Sequence, residues 1–305
     1  QNGIFEKIGH ALLTRTRKIW QLIAVLVGLN FFSSMIITND VSLITFVPFA
    51  IMMLKQCGRQ ELMIPVVVLQ TIAANLGSML TPIGNPQNLY LYGLAGTGIG
   101  EFIMWLLPYT IASALLLVIS ILLIKNKNEI ICIEDTDSEA AHNTSVPRVM
   151  AYSVLFVLAL LLAAAVLITV LLLEKNVLAK ADYALLLTFI GFFIFTGNMG
   201  RVESVAHFLA GIVNSRELEV GIITSQCISN VPAALLLSGF TDNIKNLSIG
   251  VNIGGLGTLI ASMASLISYK LYANEVPEKK GKYFAVFTVY NIIFLVVLYV
   301  FTKLI

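Results

Sequence analysis

The sequence predicts an all-α polytopic membrane protein with two inverted-topology repeats, each containing a re-entrant helical hairpin and a broken transmembrane helix. The composition, an internal repeat and the placement of Lys and Arg support this prediction. Of 305 residues, 58% are hydrophobic and 12% are charged, whereas soluble globular domains have roughly 45–50% apolar and about 25% charged residues. The composition therefore excludes a water-soluble fold.

Long uncharged runs locate the membrane segments. A membrane-crossing helix needs about 20 mostly apolar residues, and Asp40 is the only charged residue between positions 19 and 54. The runs without any charge are 62–100, 102–124, 149–173, 183–200 and 283–302. We therefore expect a multi-pass protein of the cell membrane, inner or plasma, in contact with the lipid bilayer.

The charge balance and the cysteines exclude other classes of protein. The 19 basic and 17 acidic residues are too evenly matched for a nucleic-acid binder. Cys57, Cys132 and Cys227 have no spacing typical of a zinc site or a disulfide framework. We expect free thiols, no bound cofactor, and no nucleic-acid partner.

An internal repeat organises the chain. Three pairs of segments recur in the same order, namely 3–12 with 200–209, Thr38-Asn39 with Ser229-Asn230, and 75–92 with 252–269. Their identities include Asn, Gly, His and Glu, so a chance likeness of apolar helices is the weaker explanation. The predicted divisions are a first repeat at 1–125, a cytoplasmic linker at 126–148 and a second repeat at 149–305. Because apolar spans precede 200–209 and nothing precedes residue 1, we expect the first repeat to lack its leading helices.

Lys and Arg predict the orientation of the two repeats, because they concentrate in cytoplasmic loops. Six basic residues flank the first hairpin between positions 7 and 59, whereas the later cluster at 270–282 lies one crossing beyond the second hairpin. If both clusters are cytoplasmic, the hairpins enter from opposite sides. Four apolar spans separate the hairpins where inversion needs an odd number, so the crossing count within 149–198 stays open.

Two apolar stretches carry residues that interrupt a helix. Residues 75–88 include Pro82 and Pro86, which remove ladder donors and clash with the preceding turn. Irregular backbone at membrane depth is tolerated only where it faces protein or a cavity. We expect unwound loops between half-helices, whose ends attract ions, with Asn and Thr side chains as added ligands. Close packing of small residues is the alternative explanation, and it accounts for the glycines but not for the Asn and Pro residues beside them.

Two polar tips lie between apolar arms. They are Thr38-Asn39-Asp40 and Ser229-Asn230, and the second arm of the second pair, 231–240, has ten residues. At 1.5 Å per residue this arm spans about half a membrane, which predicts re-entrant hairpins. Back-bonding of Ser and Thr to helix carbonyls explains either tip alone, but explains their recurrence less well.

Asp40 is the only carboxylate deep in a predicted span, and intramembrane carboxylates are functional candidates because of their cost. It could hold Na⁺, carry a proton or cap the following arm. The second repeat has Val231 at this place. His10 and His207 lie on amphipathic segments, where a structural role is favoured over proton relay.

These motifs resemble the ion transporter superfamily, specifically the citrate-transporter-like domain of citrate and dicarboxylate carriers, arsenite permeases and Na⁺/H⁺ antiporters. The resemblance rests on TND with Pro48 in its arm, NLGSMLTPIGNPQN, SNVPAALLL and NIGGLGTLIAS, in that order, and covers essentially the whole chain. It implies an inverted-repeat carrier in which hairpin tips and unwound loops bind Na⁺ and substrate. The TND tip is closer to the AND of arsenite permeases and antiporters than to the SNT of dicarboxylate symporters.

The resemblance also implies the site residues. The first ion site would comprise Thr38, Asn39, Asp40, Asn75 and Gly77, and the second Ser229, Asn230, Asn252 and Gly254. The substrate would contact Asn39, Thr81, Pro82, Asn85, Asn88, Asn230 and Thr258.

The expected function is ion-coupled secondary transport, with Na⁺ or H⁺, of a small anion such as a di- or tricarboxylate or an oxyanion. An arsenite extrusion permease or a Na⁺/H⁺ antiporter using Asp40 is the alternative. An enzyme would need paired acids, a nucleophile couple or a metal cluster within the spans, and the sequence has none there. A passive channel is harder to exclude, and the oligomeric state, including a homodimer, stays open.

Overall fold

The structure is a computed structural model that describes residues 16, 18–124, 129, 187, 190, 191, 194, 198 and 201–305. The predicted amphipathic segment at 3–12 with His10, the apolar run 149–173, and nearly all of the linker 126–148 and of 183–198 lie outside these residues. The chain divides into two compact units, one comprising Gln1–His10 with Asp137–Phe195 and the other Ala11–Thr136 with Thr196–Ile305. All elements named below belong to the second unit.

The first half contains a pair of helices, an interrupted helix and a long helix. These are α1 (Ile19–Ile37), α2 (Asn39–Gln56), α3 (Met63–Ser78), α4 (Pro86–Ala95) and α5 (Ile99–Leu123), with short 3-10 helices at Gln60–Leu62 and Pro82–Gly84. We call α1 and α2 hairpin 1, because the two helices pack against each other and are separated by Thr38 alone.

The second half repeats this order after an additional helix, α6 (Glu203–Val213). Hairpin 2 consists of α7 (Glu217–Ile228) and α8 (Asn230–Leu237), separated by Ser229. The remaining helices are α9 (Ile244–Ile253), α10 (Met263–Glu275) and α11 (Lys280–Thr302), with 3-10 helices at Ser238–Phe240, Leu259–Ala261 and Pro277–Lys279. The all-helical prediction is confirmed for the described residues.

Local chemistry explains both interruptions. In the first half, Pro86 begins α4 at a position where its missing N–H costs nothing, and the Asn85 side chain caps the helix by accepting the Asn88 N–H at 2.9 Å. In the second half, the Thr258 hydroxyl accepts the Ala261 N–H at 3.2 Å. The predicted breaks are therefore confirmed, and they leave irregular segments that we call loop 1 (79–85) and loop 2 (254–262).

Helix α3 forms the centre of the described part. Nearly all of its side chains are buried, and α1, α2, α5, α10 and α11 pack around it. In contrast, α5 and α11 expose large apolar side chains such as Leu115 and Val296. This arrangement suits a bilayer, in which the outer helices face lipid and the central helix faces protein.

Among the described residues, four helical segments are long and apolar enough to cross a membrane, namely Ile19–Ile37, Gln60–Ser78, Ile99–Leu123 and Pro277–Thr302. The helices of hairpin 2 are shorter, with 12 and 8 residues. Their length fits a re-entrant hairpin, since at 1.5 Å per residue they measure about 18 and 12 Å. Helix α1, with 19 residues, has the length of a complete crossing.

Candidate functional site at the hairpin tips

The two hairpin tips share an unusual backbone conformation. Thr38 has φ 73° and ψ 149°, and Ser229 has φ 76° and ψ 153°. This region is sparsely populated by residues other than glycine and costs of order 1–3 kcal/mol, and such strain clusters at functional sites. At each tip the first helix of the hairpin ends, and the second helix begins one residue later. The second helices begin with Asn39 and Asn230, both of which are buried.

Each hairpin packs closely on a glycine at the end of the interrupted helix in its own half, Gly77 within α3 and Gly254 directly after α9. A Cβ atom added to Gly77 would lie 2.7 Å from Ser34 Oγ and would contact the Phe31 carbonyl. A Cβ atom added to Gly254 would lie 2.8 Å from Ser225 Oγ and 2.9 Å from Ile222 Cα.

The contacts of the two glycines correspond in sequence position. Ser34 and Ser225 each precede their tip by four residues, and Phe31 and Ile222 each precede it by seven. The two halves therefore use corresponding residues to bring the tip against the interruption.

A buried network of amides and hydroxyls links the halves. The Asn75 Oδ1 atom accepts Ser262 Oγ at 2.9 Å and Asn39 Nδ2 at 3.3 Å, and Asn75 Nδ2 lies 3.5 Å from Ser265 Oγ. Asn75 at the end of α3 thus bonds both to the tip of hairpin 1 and to the start of the second repeat's half-helix α10.

Asn252 of the second half makes the corresponding contacts with residues of the first half. Its Oδ1 atom accepts Asn85 Nδ2 at 3.1 Å, and its Nδ2 donates to Asn88 Oδ1 at 2.6 Å and to the Ser248 carbonyl at 2.8 Å. Asn85 and Asn88 follow Asn75 by ten and thirteen residues, as Ser262 and Ser265 follow Asn252. Each central asparagine therefore binds the loop and half-helix of the opposite half.

Asp40 is the charged group of the site. Its N–H donates to Asn39 Oδ1 at 3.0 Å, and its buried Oδ1 atom has no hydrogen-bond partner in the part of the chain that the structure describes. Within the described residues it also forms no ion pair. A buried carboxylate oxygen without a partner is costly, which makes the tip of hairpin 1 the strongest candidate for a binding site.

The remaining predicted residues join the loops to the hairpins. Thr81 Oγ1 donates to the Met35 carbonyl at 2.5 Å, and Thr258 Oγ1 donates to the Gln226 carbonyl at 3.2 Å. Pro82 begins the 3-10 helix of loop 1 and is buried. Ser229 Oγ lies 3.4 Å from the Ala261 carbonyl.

The side-chain nitrogen of Asn230, Nδ2, lies against loop 2. It is 2.9 Å from the place that a Cβ atom would take on Gly255. The structure thus brings the predicted residues of both tips and both loops close to the interruptions. His207, in contrast, is exposed on α6.

Gln226 was not predicted as a site residue. Its side chain enters loop 2, where its Nε2 donates to the Gly254 carbonyl at 2.8 Å and the Leu256 carbonyl at 2.9 Å. The signal in the sequence is a polar residue three positions before the Ser229 tip, where hairpin 1 has Met35.

A cavity of about 430 Å³ opens elsewhere, between the end of α4 and the start of α9. Its lining includes Trp105, Thr97, Asp242 and Lys245. None of the residues of the two tips lines it, so we place the candidate site at the tips on the grounds of strain, burial and unpaired charge.

These features define a polytopic helical membrane protein with a polar centre between two broken helices. The chain belongs to the citrate transporter family, whose sequence profile (CitMHS) matches residues 1–245. It is therefore a transporter and a multi-pass protein of the cell membrane, as the motifs predicted.

The chain is similar to two relatives over most of its length. The chain is 32% identical over 308 residues to the uncharacterized transporter MJ0456 of Methanocaldococcus jannaschii, a match that covers 98% of this chain and 83% of that protein. It is 29% identical over 301 residues to the inner membrane protein YbiR of Escherichia coli, covering 90% of this chain and 75% of the relative.

Proposed function

We propose that the protein is a secondary transporter that couples the movement of Na⁺ or H⁺ to that of a small anion, such as a di- or tricarboxylate or an oxyanion. The buried Asp40 oxygen without a partner, at a strained hairpin tip beside Asn75, is the observation that carries this proposal. The name of the family favours a carboxylate such as citrate as substrate.

The first cation site would comprise Thr38, Asn39, Asp40, Asn75 and Gly77. Oxygen atoms are the usual ligands of hard cations, and a bound cation would give the Asp40 carboxylate the partner that it lacks. In the second half, Ser229, Asn230, Asn252 and Gly254 occupy corresponding positions.

The substrate would bind between the Asn39 and Asn230 sides of the two tips. Within the described residues no Lys or Arg is buried, so the positive charge must come from other groups. The N-termini of α2 and α8 follow the tips and carry partial positive charge, and a bound cation would add to it. Thr81, Pro82 and Thr258 would lie nearby, and Asn85 and Asn88 would contribute through the loops that they hold in place.

Alternating access would follow from two inverted repeats, the first at 1–125 and the second at 149–305, joined by the linker 126–148. The support for this part is the correspondence of contacts between the halves, including Gly77 with Ser34 and Gly254 with Ser225. Short hairpin arms such as α8 would then enter the membrane without crossing it.

A second candidate is a Na⁺/H⁺ antiporter or an arsenite extrusion permease. The unpartnered Asp40 oxygen favours it, since one carboxylate can bind Na⁺ and H⁺ in turn. The two candidates differ in what moves: a symporter carries an organic or oxyanion substrate with its ion, whereas an antiporter moves protons without any substrate.

Flux measurements in liposomes test the proposal. The purified chain would be reconstituted and offered radiolabelled citrate, succinate or phosphate under a Na⁺ gradient or a pH gradient. We expect gradient-dependent uptake of at least one anion, reduced about tenfold or more by Asp40→Asn. The matched control is Asp242→Asn, which changes an exposed carboxylate remote from the tips and should leave uptake unchanged.

Two results would contradict this proposal. Coupling and affinity that are unaltered in Asp40→Asn would remove the role of that carboxylate. Proton movement driven by Na⁺ in liposomes free of any anion substrate would favour the antiporter instead.

A further inference from the structure

The side chain of Gln226 fills loop 2. Its Nε2 group donates to the carbonyls of Gly254 and Leu256 at 2.8 and 2.9 Å, and lies 3.2 Å from the Ile222 carbonyl in its own helix. Its Oε1 atom accepts the Thr258 N–H at 2.9 Å. One amide thus satisfies both carbonyls and an N–H of the unwound segment.

Gly257 fits this arrangement. It has φ of 105°, and a Cβ atom there would collide with the Gln226 side chain, lying 2.9 Å from its Cδ. A residue with a side chain would therefore expel the amide from the loop. Gly257 and Gln226 together form one local structure, in which the backbone wraps around an amide group.

Loop 1 has neither of these two residues. Met35 stands three residues before its tip and has no donor to offer, and Leu80 stands where loop 2 has Gly257, without a positive φ. The Gly77 carbonyl accepts a backbone N–H from Leu80 at 3.2 Å.

A different amide reaches part of loop 1. Asn88 Nδ2 donates to the Met79 carbonyl at 2.7 Å and to the Thr81 carbonyl at 3.2 Å. The Asn88 side chain belongs to α4, and it does not bond to the Gly77 carbonyl, which accepts the backbone N–H of Leu80. In hairpin 1, no side-chain amide occupies the place that Gln226 takes in hairpin 2.

The tips of the two hairpins also differ, in their charge. Hairpin 1 has Asp40 after its asparagine, with a buried unpaired oxygen, whereas hairpin 2 has the apolar Val231. The half with hairpin 1 therefore has a negative charge and an unpaired oxygen at its tip, while the half with hairpin 2 has a neutral tip and a side-chain amide of the hairpin itself bonded to the loop carbonyls. An NH₂ group presents hydrogens with partial positive charge to carbonyl oxygens, as a bound cation presents its charge to them.

We propose that the Gln226 amide takes the place of a cation in loop 2, so that the protein couples transport to a cation at hairpin 1 alone. This inference rests on the proposed function, and it makes the two predicted ion sites unequal. Gln226 would then set the coupling stoichiometry, and an apolar residue in its place would open loop 2 to a cation.

Counting bound Na⁺ on the purified full-length protein tests the inference. Equilibrium binding of ²²Na⁺ would be compared for the parent chain, Gln226→Met, which copies Met35, and Gln226→Glu, which removes the NH₂ donors. We expect each variant to bind one Na⁺ more than the parent, and Asp40→Asn to remove one site from each. The thermal stability of Gln226→Glu should rise with Na⁺ more than that of the parent chain.

The matched control is Gln70→Met. Gln70 also donates to two carbonyls, those of Leu26 and Phe46, but lies away from loop 2. The same chemical change there should leave the Na⁺ count unaltered.

The outcomes separate this inference from the proposed function. Two Na⁺ on the parent chain, or no gain in either Gln226 variant, would overturn the inference and leave the proposed transporter standing. No Na⁺ on the parent chain would refute sodium coupling at Asp40, while a gain of one in the Gln226 variants would still support the role of the amide.

Discussion

Gly77→Ala tests how closely hairpin 1 must approach α3. A methyl group at this position would lie 2.7 Å from Ser34 Oγ and 2.9 Å from the Phe31 carbonyl carbon, in contact with the Phe31 oxygen. The obstructing atoms are mostly backbone, so α1 must move. Overpacking of this kind costs about 1–3 kcal/mol, against a gain of about 0.5–1 kcal/mol from replacing glycine in a helix. We expect a net loss of up to about 2.5 kcal/mol in the free energy of unfolding.

The matched control is Gly28→Ala in α1, where an added Cβ atom would meet no atom of the described residues within 4 Å. That substitution should leave the free energy of unfolding unchanged or raise it slightly. Both variants would be unfolded at equilibrium in mixed micelles, with circular dichroism and transport measured in parallel. We further expect Gly77→Ala to lower uptake, because it displaces the tip from Asn75. Equal stability and uptake of the two variants would refute the close packing.

Two further predictions follow from the same contacts. Asn252→Leu leaves the buried Asn88 Oδ1 atom without its partner, so the free energy of unfolding in mixed micelles should fall by about 1–3 kcal/mol; a smaller change would mean that the Asn88 amide finds another partner. In a Cys132→Ser background, a membrane-permeant maleimide should label the exposed Cys227 and spare the buried Cys57, because burial raises the pKa of the Cys57 thiol to about 11 and leaves little thiolate. Equal labelling of both thiols in the folded protein would contradict the described burial of Cys57.

Much of the local structure could be predicted from the sequence, because local residues decide it. Pro82 and Pro86 cannot continue a helix, and the chain does break between Ser78 and Pro86. The recurrence of Thr38-Asn39 as Ser229-Asn230 predicted matching tips, and both tips have nearly the same φ and ψ. The family that the four short motifs indicated is confirmed by the match of its sequence profile to residues 1–245, which include three of the motifs.

The partners of the site residues could not be predicted in the same way. Asn75 bonds to Ser262, and Asn252 bonds to Asn85, across separations of more than 160 residues. Nothing in the sequence near an asparagine specifies which distant loop will supply its hydrogen-bond partner. Gln226 was missed for a similar reason, since its importance depends on the carbonyls of a loop 28 and 30 residues further along the chain.

The sequence by itself determined that this chain is helical, lies in a membrane, breaks two of its helices and carries one charge, Asp40, at a hairpin tip. These properties follow from composition and from residues that act on their immediate neighbours. Only the tertiary structure decided that the halves exchange their polar contacts and that one amide, Gln226, closes loop 2. The physical reason is that most buried polar groups are hydrogen-bonded, and the partner available depends on how the whole chain packs.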